Sequence, residues 1–271
     1  MPEVLFRMHV WNLGPDRLMV SGTFSDFAVH HHPAVQVAVG TTGPLTVIDT
    51  DGERTECRLV VVASGTRHSV RSDAGSAALS IYLGPATREG IALNALTRNV
   101  TQDGGIWTVP AGERLADAVA EAVTTSGPRV AADFLVNELC NSSDARHECG
   151  PSVHPQVHQA IDLISSTVPA AIDLASVADA VAISPDYLGR LFKRHTGASF
   201  SASTRWARLL TAMRYLVDGM PVTDAAHLAG FADGSHANRV CWEMVGANPS
   251  DLLPAIAPSP ATVPPPTPGG G

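Results

Sequence analysis

Three consecutive histidines, His30 to His32, stand at the head of a segment whose composition is typical of a β-strand. Histidine is the commonest metal-ligating side chain, because its imidazole is largely neutral near physiological pH. A further histidine, His68, follows in the later segment SGTRHSV. The sequence therefore first suggests metal binding. The other motifs of the chain are needed to judge whether metal binding is its function.

A second set of side chains with a common chemistry is cationic. Between Tyr187 and Val217 the chain has no acidic residue, and its basic residues there are Arg190, Lys193, Arg194, Arg205, Arg208 and Arg214. Residues 152–253 as a whole have seven basic and nine acidic residues, so the positive charge is concentrated in one part of this region. Contacts with nucleic-acid phosphates require such a concentrated patch.

The composition of the chain argues against several classes of function. The chain has 18 Lys and Arg against 26 Asp and Glu, and a net charge of −8 argues against indiscriminate binding to nucleic acid or membranes. Its longest apolar runs are far shorter than the roughly 20 residues of a membrane span, and no signal peptide is recognisable. The four cysteines lack CxxC spacing, as is typical of reduced thiols in a cytoplasmic protein. The motifs GxSxG, GxGxxG and the P-loop are absent from the sequence, so we expect no enzyme activity.

The N-terminal part is predicted to be β-rich. Short apolar segments such as AVQVAV, LTVID and AALSIYL are separated by turn-forming residues, with no helical periodicity between them. This pattern predicts a β-sandwich or small barrel over residues 1–105. Apolar residues then recur three and four apart in 113–123 and 129–139, which predicts a pair of amphipathic helices before a polar linker at 140–152.

The segment 172–197, IDLASVADAVAISPDYLGRLFKRHTG, predicts two short helices joined by a tight turn. Asp173 and Ser184 are suitable N-caps, and Pro185 fits the first turn of the second helix. The second helix would bury Tyr187 with its apolar neighbours. Its exposed face would consist of Asp186, Gly189, Arg190, Lys193 and Arg194. A cationic outer face on the second of two such helices indicates a DNA-binding helix-turn-helix.

A second unit of this kind follows a long helix, in VTDAAHLAGFADGSHANRVCWEMVGANPSDLL. Two helix-turn-helix units bridged by a long helix resemble the DNA-binding domain of AraC/XylS transcriptional regulators, over roughly 100 residues. The first unit matches through LASVADAVAISPDYLGRLFKRHTG, and the second through the family's GF, acid, SH and PS positions. Those positions are occupied here by Phe231, Asp233, Ser235, His236, Pro249 and Ser250.

The resemblance implies which residues contact DNA. In the two recognition helices these would be Asp186, Gly189 and Arg190, and then Ser235, His236, Asn238 and Arg239. Lys193 and Arg194, near the end of the first recognition helix, are expected to contact phosphates. The second unit departs from the family pattern, since Arg239 is its only full cation. Glu243, one turn further on, would oppose phosphate approach if its side chain faced the duplex.

Members of this family commonly have an N-terminal sensor, often a cupin-like β-barrel, followed by a helical pair that dimerises. The resemblance therefore implies four partners: a double-stranded promoter operator, RNA polymerase, a small-molecule effector and a second copy of the chain. It implies no membrane. The target sequence, the identity of the effector and the direction of regulation stay open.

The same resemblance allows the histidines to be compared with the metal ligands of cupins. In metal-binding cupins, two histidines and a carboxylate come from one strand pair, and a third histidine comes from a later strand. Here Val35 and Gln36 stand at the place of the carboxylate, and an amide is a poorer ligand than a carboxylate for a divalent ion. We therefore expect no bound metal and no cofactor. The side chains assigned to an effector pocket are His30, His32, Gln36 and His68.

The sequence thus predicts an α+β chain of two domains that regulates transcription by sequence-specific DNA binding. Its predicted parts are a cupin-like β-barrel sensor at 1–105, a helical dimerisation segment at 106–151, a seven-helix double helix-turn-helix domain at 152–253, and a disordered Pro- and Gly-rich tail at 254–271. Two alternatives stay open. One is a cupin oxygenase or isomerase with an appended helical domain, and the other is a degenerate regulator that acts through protein contacts.

Overall fold

The computed structural model of the 271-residue chain has a β-rich N-terminal half and a helical C-terminal half, which confirms the predicted α+β class. The residues that the structure describes are 8–14, 16–24, 27–84, 87–102, 104–110, 112–141, 154–252 and 256–257. Within these ranges, no helix is long and apolar enough to cross a membrane. The described cysteines, Cys57, Cys140 and Cys241, form no disulfide, and Cys149 lies outside the described residues.

The strands of the described residues form two sheets. In chain order they are β1 (Met8–Gly14), β2 (Arg17–Gly22), β3 (Val35–Gly40), β4 (Leu45–Ile48), β5 (Arg54–Cys57), β6 (Leu59–Val62), β7 (Ser69–Ser72), β8 (Ala78–Leu83), β9 (Ile106–Thr108) and β10 (Ile256–Ala257). The strand orders are β10-β1-β2-β8-β3-β6-β9 and β5-β4-β7. Because the two sheets share no strand in the described part of the chain, the domain is an open sandwich and not the predicted closed barrel.

Strand β3 shows why the larger sheet is apolar on both sides. All six of its residues are buried, and successive side chains of a strand point to opposite faces. Val35, Val37 and Val39 pack against helices on the outer face. Ala38 packs on the inner face, in the core that also contains residues of the smaller sheet. Gln36 has the same parity as Ala38 and therefore points into the space between the sheets.

Helices cover the outer face of the larger sheet. They are α1 (Arg88–Val100), α2 (Gly112–Ser126) and α3 (Pro128–Asn141). The last two confirm the predicted helical pair. Helix α1 was not predicted, because it lies inside a region whose other segments are strands. Its N-cap is Thr87, whose hydroxyl oxygen accepts a hydrogen bond from the Gly90 N–H at 3.0 Å, and its buried residues Leu93 and Leu96 join the core beneath it.

Residues 154–252, all of which the structure describes, contain the seven predicted helices. They are α4 (Pro155–Thr167), α5 (Leu174–Ala180), α6 (Pro185–Thr196), α7 (Phe200–Val217), α8 (Val222–Leu228), α9 (Gly234–Val245) and α10 (Pro249–Leu252). Helices α5 and α6 form the first helix-turn-helix unit, and α8 and α9 form the second. The long helix α7 bridges them, as predicted.

The turn between α5 and α6 has the predicted N-caps. Asp173 accepts a hydrogen bond from the Ser176 N–H at 3.0 Å, and Ser184 accepts one from the Tyr187 N–H at 3.3 Å. Helix α6 ends at Gly197, whose φ of 76° lies in the left-handed region that glycine adopts without strain. The prediction that Tyr187 is buried was wrong. Its side chain is 43% exposed, since it lies beside the buried face rather than on it.

The second unit shares its core with the β-sandwich. Trp206 of α7 and Val240 and Met244 of α9 are buried in the same cluster as Ala38 of β3 and Leu45 of β4. The first unit, in contrast, has a separate core formed by α4, α5, α6 and the start of α7. The apolar core that the two halves of the chain share therefore runs through the second unit.

The chain also returns to the sandwich after its last helix. Ile256–Ala257 lies within the predicted disordered tail, yet forms a two-residue strand parallel to β1. The segment 258–271 lies outside the described residues.

The cap of α6 gives a first prediction. Ser184→Ala should lower the free energy of unfolding by about 1 kcal/mol, because the first turn of the helix loses the side chain that accepts its N–H. Urea unfolding of the full chain measures this loss. Ser201→Ala is the matched control, because Ser201 is exposed inside α7 and caps no helix. Equal stability of the two variants would contradict the assignment of the cap.

Candidate nucleic-acid interface

Helix α6 displays the cations that the sequence assigned to its outer face. Leu188 and Phe192 anchor the helix and are fully buried, whereas Arg190, Lys193 and Arg194 are exposed. The helix turns these three cations to one side because apolar residues three and four apart occupy the other. The structure thus brings together the predicted contact residues of the first unit.

Arg190 lies over the first turn of α6. Its Nη1 donates to Oδ2 of Asp186 at 2.5 Å, one helical turn away, and both side chains are mostly exposed, at 69% and 79%. The ion pair holds the guanidinium along the helix surface, and its exposure leaves it exchangeable with a ligand. Neither Lys193 nor Arg194 forms a salt bridge with any described residue.

Gly189 lies on the same helix between these residues. A Cβ at this position would meet only Leu174 Cδ2, at 3.5 Å, which is an ordinary van der Waals contact. Packing within the chain therefore does not require glycine here. The absence of a side chain instead lowers the surface of α6 at this point.

The second recognition helix, α9, begins at a cap. Asp233 accepts a hydrogen bond from the His236 N–H at 2.6 Å. Ser235, Asn238 and Arg239 are exposed on α9. The His236 ring is partly buried and packs edge-on against Phe231, with ring centroids 5.4 Å apart.

The carboxylate of Glu243 is paired with a cation of the protein. Its carboxylate accepts two hydrogen bonds from the Arg205 guanidinium on α7, at 2.5 and 3.0 Å, and lies 3.8 Å from Nε2 of His31. We expected Glu243 to oppose phosphates only if its side chain faced the duplex, and its bonds to Arg205 direct it toward α7 instead. Arg205 is neutralised by the same pair, so it contributes less to the basic patch than the sequence indicates.

Two exposed aromatic side chains lie near the predicted contact residues and were not among them. Tyr187 in the first turn of α6 is 43% exposed, and Trp242 of α9 is 50% exposed, one turn beyond Arg239. Their exposure could not be foreseen, because large aromatic residues at helical spacing are usually part of a core.

The four side chains assigned to an effector pocket do come together. His30, His32, Gln36 and His68 are all buried, and one ring nitrogen from each histidine lies within 4.8 Å of the others. Oε1 of Gln36 is 2.6 Å from Nε2 of His68 and 3.3 Å from Nε2 of His32. The backbones of His30 and His68 form an isolated antiparallel bridge. This pairing brings two segments that are far apart in sequence to the same place.

Burial keeps the imidazoles of this histidine cluster uncharged. Loss of hydration lowers the pKa of His30 to about 4 and that of His32 to about 3. The same cause, with the neighbouring imidazoles, holds the pKa of His68 well below its ordinary value. Three neutral imidazoles with their lone pairs available are a suitable ligand set for a transition-metal ion.

Aromatic side chains separate the cluster from a cavity between the two halves of the chain. Tyr82 and Trp206 pack on the His32 ring, with centroids 5.2 and 5.3 Å from it. Both also line an apolar cavity of about 50 Å³. A larger cavity of about 400 Å³ lies between β2 and the helices α4 and α7, where Asp16, Arg17 and Arg214 are the charged side chains of its lining.

Comparison with known proteins agrees with this arrangement. Residues 177–254 match the family model of a helix-turn-helix domain. The HTH-type transcriptional regulator GlxA of Rhizobium meliloti (strain 1021) is 24% identical over 180 residues, which are 62% of this chain and 55% of that protein. The chain thus spans about half the length of the curated relative that it matches.

Among solved structures, an apo form of a ToxT variant from Vibrio cholerae strain SCE256 is similar with a TM-score of 0.62 and 11% identity, covering 90% of this chain and 99% of that one. Wild-type ToxT of the same strain, bound to an unsaturated fatty acid, gives a TM-score of 0.57 and 11% identity, covering 91% and 98%. At these identities the likeness concerns the fold. Together with the matched domain, it shows that the chain has a helix-turn-helix domain within a two-domain fold similar to that of ToxT.

Proposed function

We propose that this protein is a sequence-specific DNA-binding regulator of transcription, with α6 and α9 as its recognition helices. The observation that carries the proposal is the exposed cationic face of α6, within a segment that matches a helix-turn-helix family. Both recognition helices begin at a capped N-terminus, so the elements that would enter the major groove are locally well defined.

The first unit supplies most of the affinity in this proposal. Arg190, with Asp186 and Gly189 beside it, contacts base edges, since a guanidinium bonds guanine in a bidentate manner. Lys193 and Arg194 contact phosphates. The second unit contributes Arg239 and three residues without full charge, Ser235, His236 and Asn238. We expect its contacts to add less binding free energy than those of the first unit.

The proposed regulator acts as a homodimer in the cytoplasm on a promoter operator, where it also contacts RNA polymerase. Val130 and Phe134 support the dimer. They lie one turn apart on α3 and are 53% and 36% exposed, an apolar pair on the segment predicted to dimerise. A dimer would place two copies of the DNA-binding domain on one operator and raise the effective affinity.

We further propose that a small molecule controls the regulator through the N-terminal domain. The cavity of about 400 Å³ between β2, α4 and α7 is better placed for it than the tightly packed histidine cluster, because it offers open volume. A structurally similar protein, ToxT, has been solved with an unsaturated fatty acid.

The alternative function, a metalloenzyme, is favoured only by the converging histidines. A sequence-specific footprint of the full chain on DNA selected from a random pool, at stated salt, would support the regulator. Turnover of a small molecule without such a footprint would support the enzyme.

The second prediction concerns Arg190. Arg190→Ala should weaken discrimination at one or two base pairs by about 1–3 kcal/mol, because a bidentate base contact is lost. The fold should persist, since the ion pair with Asp186 is exposed. Gel-shift titrations on the selected site and on its single-base variants measure the effect. Arg114→Ala is the matched control, because Arg114 is an exposed arginine on α2, outside the DNA-binding domain. An Arg190→Ala protein with the parent's base preferences would contradict the placement of α6.

The third prediction separates phosphate contacts from base contacts. Lys193→Ala and Arg194→Ala should each weaken binding to all sequences alike and reduce the slope of log K against log salt by about 1, because one released counterion is lost. Fluorescence anisotropy at several salt concentrations measures the slope. A change in base preference without a change in slope would assign these residues to the bases.

The fourth prediction tests the dimer. Phe134→Glu should abolish or strongly weaken self-association, because a charge would be buried in the apolar contact. Sedimentation velocity on the full chain measures the mass. Val100→Glu is the control, since Val100 is similarly exposed but lies on α1. Loss of the dimer in both variants, or in neither, would exclude α3 as the interface.

A further inference from the structure

The exposed surface of α9 is a single stripe along the helix. All residues of α9 are described, and the exposed ones are Ser235, Asn238, Arg239 and Trp242. These positions are three and four apart, so they share one side of a helix that turns about 100° per residue. The buried residues repeat the same spacing on the opposite side, and they are Ala237, Val240, Cys241 and Met244. A partner that meets α9 from outside the protein therefore meets Trp242 together with the three polar residues.

Trp242 lies near the middle of this stripe. It follows Ser235 by two helical turns less about 20°, and by about 10.5 Å along the helix axis. Its side chain is 50% exposed, although tryptophan is highly buried on average. One exposed apolar residue is ordinary on a protein surface, but this one is aligned with the residues of α9 that are predicted to contact DNA.

The two recognition helices correspond residue by residue when they are counted from their N-caps. The sixth residue after the cap is an arginine in both, Arg190 in α6 and Arg239 in α9. The ninth residue is Lys193 in α6 and Trp242 in α9. An exposed indole thus occupies the position at which the first unit has a cation proposed to contact phosphate. The second unit must use this position by a different chemistry.

The charges around Trp242 favour DNA over the apolar surface of another protein. Arg239 is exposed one turn before it, and the neighbouring acid, Glu243, is bonded to Arg205 of α7. The stripe is therefore polar and cationic except for the indole. The major groove offers groups that complement each part of it. Phosphates line its edges, base edges carry hydrogen-bonding groups, and thymine methyl groups form apolar patches on its wall.

We propose that Trp242 contacts the apolar wall of the major groove, which thymine methyl groups and deoxyribose form, and that this contact gives the second unit binding free energy independent of salt. The inference rests on the proposed function. Burial of apolar surface releases no condensed counterion, whereas each phosphate contact does. The two units then bind by different chemistry, α6 mainly through its cations and α9 through Arg239 and the indole.

Fluorescence anisotropy of the full chain, on a DNA site selected from a random pool and at several salt concentrations, tests the contact. Trp242→Ala should weaken binding at least about tenfold at every salt concentration and leave the slope of log K against log salt unchanged. Val100→Ala is the matched control and should bind as the parent does, because Val100 is an apolar residue of similar exposure on α1, outside the DNA-binding domain.

A second variant places a cation at the same position. Trp242→Lys should steepen the salt slope by about 1 for each bound copy, because the ammonium group adds a phosphate contact. Both variants should fold, since the indole is half exposed, and thermal unfolding checks this. An unchanged slope in Trp242→Lys would contradict the placement of this position against DNA.

Uracil in place of thymine, one position at a time, identifies the part of the wall that is contacted, because it removes only the 5-methyl group. At a thymine that meets Trp242, the parent should bind the uracil site about threefold to fourfold more weakly. Trp242→Ala should bind both sites equally, since the two changes remove the same contact. A tenfold loss in Trp242→Ala with no such position would support the contact and assign it to deoxyribose.

Three results would count against these proposals. Parent-like affinity of Trp242→Ala on the selected site would overturn the contact and leave the indole to a protein partner. A loss of affinity with a flatter salt slope would also overturn it, because the ring would then support a phosphate contact. Failure of the parent to select any site would instead contradict the proposed function.

Discussion

The contact on which the rest of the structure depends is the packing of α7 and α9 against the inner face of the larger sheet. Trp206, Val240 and Met244 are buried there with Ala38 and other sandwich residues, in one continuous core. Apolar burial is the main source of folding free energy. The second helix-turn-helix unit therefore cannot leave the sandwich without exposing part of the core of both halves. The first unit, whose core is its own, is free of this constraint.

This asymmetry determines which side chains remain available to a ligand. On α6 every cation points outward, because the buried face is complete within the domain. On α9 the C-terminal turn is occupied by the sandwich, and the one acidic residue there bonds Arg205 of the bridging helix. The exposed residues of α9 include Ser235, Asn238 and Arg239 in its first half and Trp242 in its second half. The unequal contribution that we propose for the two units would thus have a structural cause in addition to the small number of cations.

Much of the helical half could be predicted from sequence because its signals are local. The caps Asp173 and Ser184, Gly197 at the end of α6 and the spacing of apolar residues act within one or two helical turns. The open sandwich could not be distinguished from a barrel, since closure depends on pairing between distant strands. The bonds between Glu243 and Arg205, and between Gln36 and the histidines, were missed for the same reason. Their partners are 38 and up to 32 residues apart in the chain.

The histidine cluster is costly to keep if it serves only packing. Buried polar groups are favourable only when every donor and acceptor is satisfied, and an apolar core of the same volume is often as stable. The three Nδ1 atoms each bond a carbonyl, so the sandwich has fixed the orientation of each ring. The Nε2 atoms of His32 and His68 face the amide of Gln36, and the rings of Tyr82 and Trp206 pack on His32. The cluster is thus held in place by its contacts with the backbone. Its position beside Gly246 and Trp206 lies at the junction of the two halves. The cluster therefore adjoins the core that α9 and the sheet share.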